Sequence, residues 1–366
     1  MRNTITKFRS KITKLVFIIS YLFLFLGILS RDIRLHNLLI NDITSAEFSV
    51  SNLFCSEIPR CSRVGSEVFG ISIRTFFSLA GYIFHGNPAW QNFYITDSEY
   101  FSIYNLIGSV TYRIISLLPI LYFLNKVSGK SNRVKILNIF ALNSILSGFP
   151  LFLLNNLFGI YLVNYDYMII FVLGIFLINY NKILESKYLL PVFIFICSIT
   201  FENLIIVIIA SIVFQNSSPL KKLKTVFKAL VYFLFSYTLL LLIILVRNGE
   251  ILNESDGRYF YLNQVKLLEI WGAFFVIIIW SSILGVIVAV LGQKKVKPYE
   301  MVSMNPTEHL AVLAAIVISY LLSFLIGNFI SGLTEFARQF LFLEISAYMF
   351  ALILTTRALE KLRGNQ

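Results

Sequence analysis

The sequence predicts an all-α protein, a polytopic transmembrane helical bundle. Three observations lead to this prediction: 57% of the 366 residues are hydrophobic, only 14% are charged, and long apolar runs alternate with short basic segments. In soluble domains about a quarter of the residues are charged, and disordered chains are poor in hydrophobic residues. A nucleic-acid-binding protein would gather its basic residues on one solvated face, so we expect no nucleic-acid partner.

The apolar runs have the length that a membrane crossing requires. A spanning helix needs about 20 apolar residues to cross a hydrocarbon core of about 30 Å. We therefore predict about eight spans within one transmembrane domain that covers residues 1–366. The predicted spans are Leu15–Ser30, Phe101–Leu124, Val134–Asn156, Gly159–Tyr180, Val226–Val246, Leu267–Leu291, His309–Ile330 and Phe340–Thr356.

The basic segments between the spans set the expected orientation. Lysine and arginine gather in the cytoplasmic loops of membrane proteins. The first 14 residues contain five basic residues, so we expect a cytoplasmic N-terminus followed by a retained first helix and a large outer loop over residues 31–100. The other segments that we expect on the cytoplasmic side are Lys126–Lys135, Lys182–Lys187, Lys221–Lys228, Lys294–Lys297 and the tail from Arg357.

One apolar stretch, Leu189–Phe214, lies between two basic segments that should both be cytoplasmic. Two full crossings do not fit in its length, and a single crossing would place Lys221–Lys228 outside. We therefore predict a re-entrant hairpin over residues 189–214 that turns at residues 200–203. The alternative is that residues 189–214 form one long tilted helix and that the number of membrane crossings is miscounted elsewhere in the chain. The turn of such a hairpin would lie within the membrane, where irregular backbone requires surrounding protein or a water-filled cavity.

The outer loop contains a predicted amphipathic helix at Glu67–Phe84, which is too short and too polar to span a membrane. We expect it to lie in the outer interface, and the alternative is a packed loop helix. Cys55 and Cys61 would be in a compartment that permits a disulfide, and the alternative is two free thiols. Cys197 is expected to be a buried small residue.

Charged residues in or beside the spans are candidate functional residues, because a charge in hydrocarbon is expensive. Arg113 lies near the middle of the second span, and Glu202 lies at the predicted hairpin turn. The alternative for Arg113 is a structural pair with Asp166 or Glu344, and Glu335 and Arg338 are three residues apart, as a structural pair would be. We propose Asp32, Asp97 and Glu202 as catalytic candidates. The substrate-binding candidates are Arg113, Asp166, Arg258, Glu335 and Arg338.

Several classes of activity lack their motifs. The sequence contains no Walker loop, no Gly-rich dinucleotide loop, no HExxH and no GxSxG, and its three histidines show no metal-ligand spacing. We therefore expect neither a metal nor another cofactor. Nucleotide-driven transport and serine hydrolysis have no support in the sequence.

Four features follow one another along the chain: Asp32 directly after the first span, the interfacial helix Glu67–Phe84, the turn Phe201-Glu202-Asn203-Leu204, and Arg338-Gln339 at the outer entry of the last span. This arrangement resembles the GT-C class of integral membrane glycosyltransferases and the related polymerases of surface-polysaccharide assembly. The first loop lacks the paired acidic motif of that class. Asp97 and Glu99 are therefore alternatives to Asp32.

The resemblance implies transfer of a sugar from a polyprenyl-phosphate or polyprenyl-diphosphate carrier to a glycan acceptor. The reaction would take place on the outer face of a bacterial plasma membrane, with membrane lipids as further partners. One carboxylate of Asp32, Asp97 or Glu202 would act as the general base. Arg113, Arg258 and Arg338 would hold the leaving phosphate, because a planar guanidinium matches phosphate oxygens.

Arginine and lysine are distributed differently in the predicted topology. All lysines except Lys266 lie in cytoplasmic segments, whereas nine of the fourteen arginines lie in outer or intramembrane segments. Orientation does not require arginine there and phosphate binding favours it, so we interpret these arginines as the functional part of the net charge of +12. The alternative functions are a transporter or flippase for a lipid-linked or anionic solute, and a structural subunit of a membrane complex.

Overall fold

The computed structural model describes residues 14–16, 18–27, 76, 103–128, 132–146, 167–200, 204–215, 217–248, 264–292, 311–315 and 340–364. The regular structure in these residues is α-helical, and no strand is found among them, which confirms the all-α prediction for this part of the chain. The helices in chain order are α1 (Lys14–Gly27), α2 (Ile103–Val127), α3 (Asn132–Leu146), α4 (Tyr167–Glu185), α5 (Leu189–Thr200), α6 (Leu204–Phe214), α7 (Pro219–Asn248), α8 (Gln264–Gly292) and α9 (Phe340–Gly364).

Four of these helices are long and apolar enough to cross a membrane, judged by length and composition, and α1, α5 and α6 are shorter apolar helices. The described part of the chain is therefore compatible with a membrane protein. Parts of other predicted spans lie outside the described residues, so the total of about eight spans stays a prediction. The four candidate crossings are Val110–Val127 in α2, Met168–Glu185 in α4, Pro219–Leu242 in α7 and Phe275–Gly292 in α8.

The helices pack in two groups. In the first group, α4 packs along α2 and against α5, and α7 packs against both α5 and α6. In the second group, α8 packs along α9 and against α3, and α1 lies on α3, where the ring centroids of Phe23 and Phe140 are 6.2 Å apart. Smaller contacts of α2 with α3 and of α4 with α9 join the groups. Buried apolar residues of both groups form one continuous core.

Two glycines allow close approach between helices. A Cβ atom at Gly285 of α8 would lie 2.5 Å from the carbonyl oxygen of Tyr348 in α9. A Cβ atom at Gly174 of α4 would lie 2.6 Å from the Cβ atom of Pro119 in α2. Within a bilayer, van der Waals packing is a main source of helix association, and small residues let two backbones come close enough to obtain it. These contacts fix the α8–α9 pair and the α2–α4 pair.

Helix α7 lies at the edge of the described bundle. Only 17% of its candidate crossing is buried inside the protein, compared with 61% of the crossing in α4. Its Leu223, Phe227 and Phe235 are among the most exposed large apolar residues of the described part. The apolar face of α7 is therefore directed away from the protein.

Candidate functional site

Helices α5 and α6 lie side by side against α4. The ring of Phe176 in α4 stacks on the ring of Phe193 in α5, with centroids 5.4 Å apart. One turn later in α4, the hydroxyl of Tyr180 donates a 2.7 Å hydrogen bond to the carbonyl oxygen of Ser211 in α6. In one continuous helix, Phe193 and Ser211 would be about 27 Å apart. Because both meet α4 within one turn, the chain reverses its direction between α5 and α6.

The last turn of α6 is held by side chains from two other helices. The last four carbonyl groups of a helix lack a donor within that helix. The carbonyl of Ser211 accepts its hydrogen bond from Tyr180, and the carbonyl of Val213 accepts a 2.8 Å hydrogen bond from Nζ of Lys222. The end of α6 is therefore attached to the last turns of α4 and to the first turn of α7.

The ends of α4 and α6 and the starts of α5 and α7 consequently lie together. The hydroxyl oxygen of Ser186 accepts hydrogen bonds of 3.3 and 3.1 Å from the backbone N–H groups of Tyr188 and Leu189, which caps the start of α5 only a few residues after α4 ends. Both basic segments that flank residues 189–214 belong to this end of the bundle. We call this end of the bundle the basic end. Its lysines are Lys182, Lys187, Lys221, Lys222, Lys224 and Lys228.

A small cavity lies between α4 and the α5–α6 pair. Its volume is about 10 Å³, and its walls are entirely apolar. A cavity of this size has no room for a sugar or a phosphate. The side chains that line it are Val172, Leu173, Phe176, Phe193, Leu204, Val207 and Ile208.

A chain of buried hydrogen bonds joins α9, α3 and the end of α2. The hydroxyl of Tyr348 donates to Oδ1 of Asn138 over 2.6 Å, and Nδ2 of Asn138 donates to Oγ of Ser128 over 2.7 Å. The hydroxyl of Ser128 in turn donates to the carbonyl oxygen of Leu124 over 2.6 Å. Each buried donor thus has an acceptor, which avoids a cost of about 1–3 kcal/mol per unsatisfied group. These hydrogen bonds were not predicted from the sequence, although Asn138, a polar residue within an apolar run, could have indicated a buried polar contact.

Two charged side chains are buried in the described part of the chain. Arg113 of α2 is 9% exposed, and Glu344 of α9 is 0% exposed. Glu344 precedes Tyr348 by one helical turn, so the two lie on the same face of α9. Both Arg113 and Glu344 interact with other residues of the protein. Burial of a charge is expensive unless the charge is paired, and these interactions are consistent with that cost.

Of the predicted site residues, the structure describes Arg113. The others lie outside the described residues, as do Cys55, Cys61 and the predicted interfacial helix apart from its residue 76. The catalytic and substrate-binding roles of these residues therefore stay predictions. The burial predicted for Cys197 is confirmed, since its free thiol is fully buried. The candidates outside the described residues are Asp32, Asp97, Asp166, Glu202, Arg258, Glu335 and Arg338.

Comparison of the chain with protein-family models, with curated proteins and with solved structures finds no match. The likeness to GT-C enzymes therefore rests on the sequence features alone.

Proposed function

We propose that the chain is an integral membrane protein that transfers a sugar from a polyprenyl-phosphate or polyprenyl-diphosphate carrier to a glycan acceptor. The observation that carries the proposal is the burial of Arg113 within an apolar helix of membrane-spanning length. Arginine stays charged under all physiological conditions, and its planar fork matches phosphate oxygens. A lipid phosphate brings its anionic group to the membrane, where such an arginine can meet it.

The proposed topology has about eight spans, a cytoplasmic N-terminus and an outer reaction face in a bacterial plasma membrane. Helices α5 and α6 form the re-entrant hairpin, which enters and leaves on the cytoplasmic side. The reversal of the chain and the basic end support this placement, because lysines favour the cytoplasmic side. With 12 and 11 residues, the two helices are about 18 and 16 Å long. The turn with Glu202 would thus lie about halfway across a core of about 30 Å.

The proposed chemistry is a displacement at the anomeric carbon of the donor sugar. A carboxylate of Asp32, Asp97 or Glu202 accepts the proton of the acceptor hydroxyl as its oxygen attacks. The bond between the anomeric carbon and the phosphate oxygen breaks, and the lipid phosphate leaves with the electron pair. Arg113, Arg258 and Arg338 stabilise the charge on this leaving group through paired N–H donors.

Transfer of a labelled sugar from a polyprenyl carrier by the purified protein tests the proposal. We expect Asp32→Ala or Glu202→Ala to abolish transfer without lowering the amount of folded protein. Glu185→Ala is the control, because Glu185 is exposed at the end of α4 and should leave transfer unchanged. Full transfer by both the Asp32 and the Glu202 variants would contradict the site assignment.

A second candidate function is transport or flipping of a lipid-linked or anionic solute. The division of the described helices into two groups with smaller contacts between them favours it, since transporters move one helix bundle against another. In proteoliposomes, movement of a labelled lipid-linked sugar between leaflets without transfer to an acceptor would support this function over the transferase.

A further inference from the structure

Helix α7 is longer than a membrane crossing requires. Its 30 residues extend over about 45 Å, whereas about 20 residues suffice for the hydrocarbon core. All four of its lysines lie within the first ten residues, 219–228, and the rest of the candidate crossing is apolar. With the apolar part in the hydrocarbon core, the first ten residues lie at the depth of the lipid headgroups.

Three of these lysines form a row on the surface. Lys221, Lys224 and Lys228 are spaced three and four residues apart, which places them on one side of the helix, and all three are exposed. Lys222 differs from them, because its Nζ atom is bound to the carbonyl of Val213. The sequence of α7 contains no Asp or Glu that could neutralise the row within the helix.

A row of exposed apolar residues runs beside the lysines. Leu220, Leu223 and Phe227 follow the same three- and four-residue spacing and are 64, 67 and 66% exposed. The row continues along α7 through Leu230 and Leu234. A cationic row that begins in the headgroup layer thus adjoins an apolar row that extends into the core, which matches the two parts of an anionic phospholipid.

We propose that the start of α7 binds an anionic phospholipid, with Lys221, Lys224 and Lys228 on its phosphate and the deeper, exposed Leu230 and Leu234 along its acyl chain. The inference rests on insertion of α7 in a membrane and is independent of sugar transfer. Lysines next to a membrane bind anionic headgroups through charge, and an ammonium group acts as a point charge toward phosphate. The bound lipid covers the start of α7, next to the point where Lys222 holds the end of α6.

Native mass spectrometry of the full-length protein in detergent tests the proposal. The probes are phosphatidylglycerol and phosphatidylcholine with identical acyl chains, and the measured quantity is the ratio of their binding constants. We expect the wild type to prefer phosphatidylglycerol. In the triple variant K221Q/K224Q/K228Q that preference should fall by at least about tenfold, because each lysine near an anionic surface contributes about fivefold. The variant K221R/K224R/K228R should retain the preference.

The control is K126Q/K135Q/K361Q, which removes three lysines from α2, α3 and α9. We expect it to keep the preference for phosphatidylglycerol. Circular dichroism and gel filtration identify folded variants, and the arginine variant supplies a second reading if the glutamine variant is unfolded. An unchanged preference in the folded glutamine variant, or an equal loss in the control, would overturn the proposal. Complete displacement of the lipid by millimolar inorganic phosphate would also overturn it, because the site would then hold free phosphate.

Discussion

The hydroxyl of Tyr180 donates a hydrogen bond to the carbonyl oxygen of Ser211, 31 residues later in the chain. This bond joins the last turns of α4 to the last turn of α6. It satisfies a carbonyl that the helix itself leaves without a donor, and it requires the chain to turn back after α5. The bond therefore joins two helices, α4 and α6, that are not consecutive in the chain.

The Tyr180→Phe substitution should destabilise the protein, because it removes this donor and leaves the buried carbonyl of Ser211 unsatisfied. We expect the free energy of unfolding in mixed micelles to fall by about 1–3 kcal/mol. Tyr188→Phe is the matched control, since Tyr188 is exposed and should change the free energy of unfolding little. Equal effects of the two substitutions would contradict the importance of the bond.

The Gly285→Ala substitution should separate α8 from α9. The added Cβ atom would meet the carbonyl oxygen of Tyr348 at 2.5 Å, and backbone atoms can yield only if the helices move apart. Overpacking of this kind typically costs about 1–3 kcal/mol, measured as the loss in the free energy of unfolding. Ile283→Val, at an exposed position of the same helix, should have a much smaller effect, and a stable Gly285→Ala protein would show that the contact is not tight.

Asn138 and Tyr348 should be energetically coupled. A double-mutant cycle of Asn138→Ala and Tyr348→Phe should give a coupling energy of about 0.5–3 kcal/mol, as expected for residues in one hydrogen-bond network. The free energies of unfolding of the two single variants and the double variant supply the measurement. Strict additivity would show that the 2.6 Å bond between them contributes nothing to stability.

Arg113 should distinguish a phosphate-binding role from a structural one. Arg113→Lys keeps the charge and loses the planar fork, so the KM for the polyprenyl-phosphate donor should rise about tenfold or more, since a hydrogen bond to a charged group contributes about 1.5–3 kcal/mol. Arg133→Lys, at an exposed position of α3, is the control. A lower stability with an unchanged KM would assign Arg113 to the structural pair that the sequence leaves as the alternative.

The proposed topology can be tested with single cysteines in a background without Cys55, Cys61 and Cys197. A cysteine that replaces Lys224, which is exposed on α7, should react with a membrane-impermeant thiol reagent only after the cells are opened. A cysteine that replaces Asp256 should react in intact cells. The reverse pattern would exclude a re-entrant hairpin on the cytoplasmic side.

The sequence predicted the helical class and the approximate positions of the apolar helices, because hydrophobic runs report helices directly. The predicted span Phe101–Leu124 corresponds closely to α2, which covers Ile103–Val127. The break between α5 and α6 was also visible, since polar residues interrupt an apolar stretch between two basic segments. These features are local, and hydropathy records them well.

The contacts that fix the bundle are not local, and the sequence did not reveal them. Asn138 and Tyr348 are 210 residues apart, and a single polar residue in an apolar run does not indicate its partner. The close approach at Gly285 depends on which helix faces α8. Arg113 could be identified as a candidate from the sequence, because the free-energy cost of a charge within the membrane depends on that residue alone and not on a distant partner. The other candidates lie outside the described residues.

The attachment of α6 has a consequence for the order of synthesis. One residue that holds its last turn, Tyr180, leaves the ribosome before α6, and the other, Lys222, leaves it afterwards. The last turn of α6 therefore gains its second hydrogen-bond partner only after the start of α7 has been translated. A truncation before residue 222 would leave α5 and α6 complete, with the last turn of α6 lacking one of its two hydrogen-bond partners from other helices.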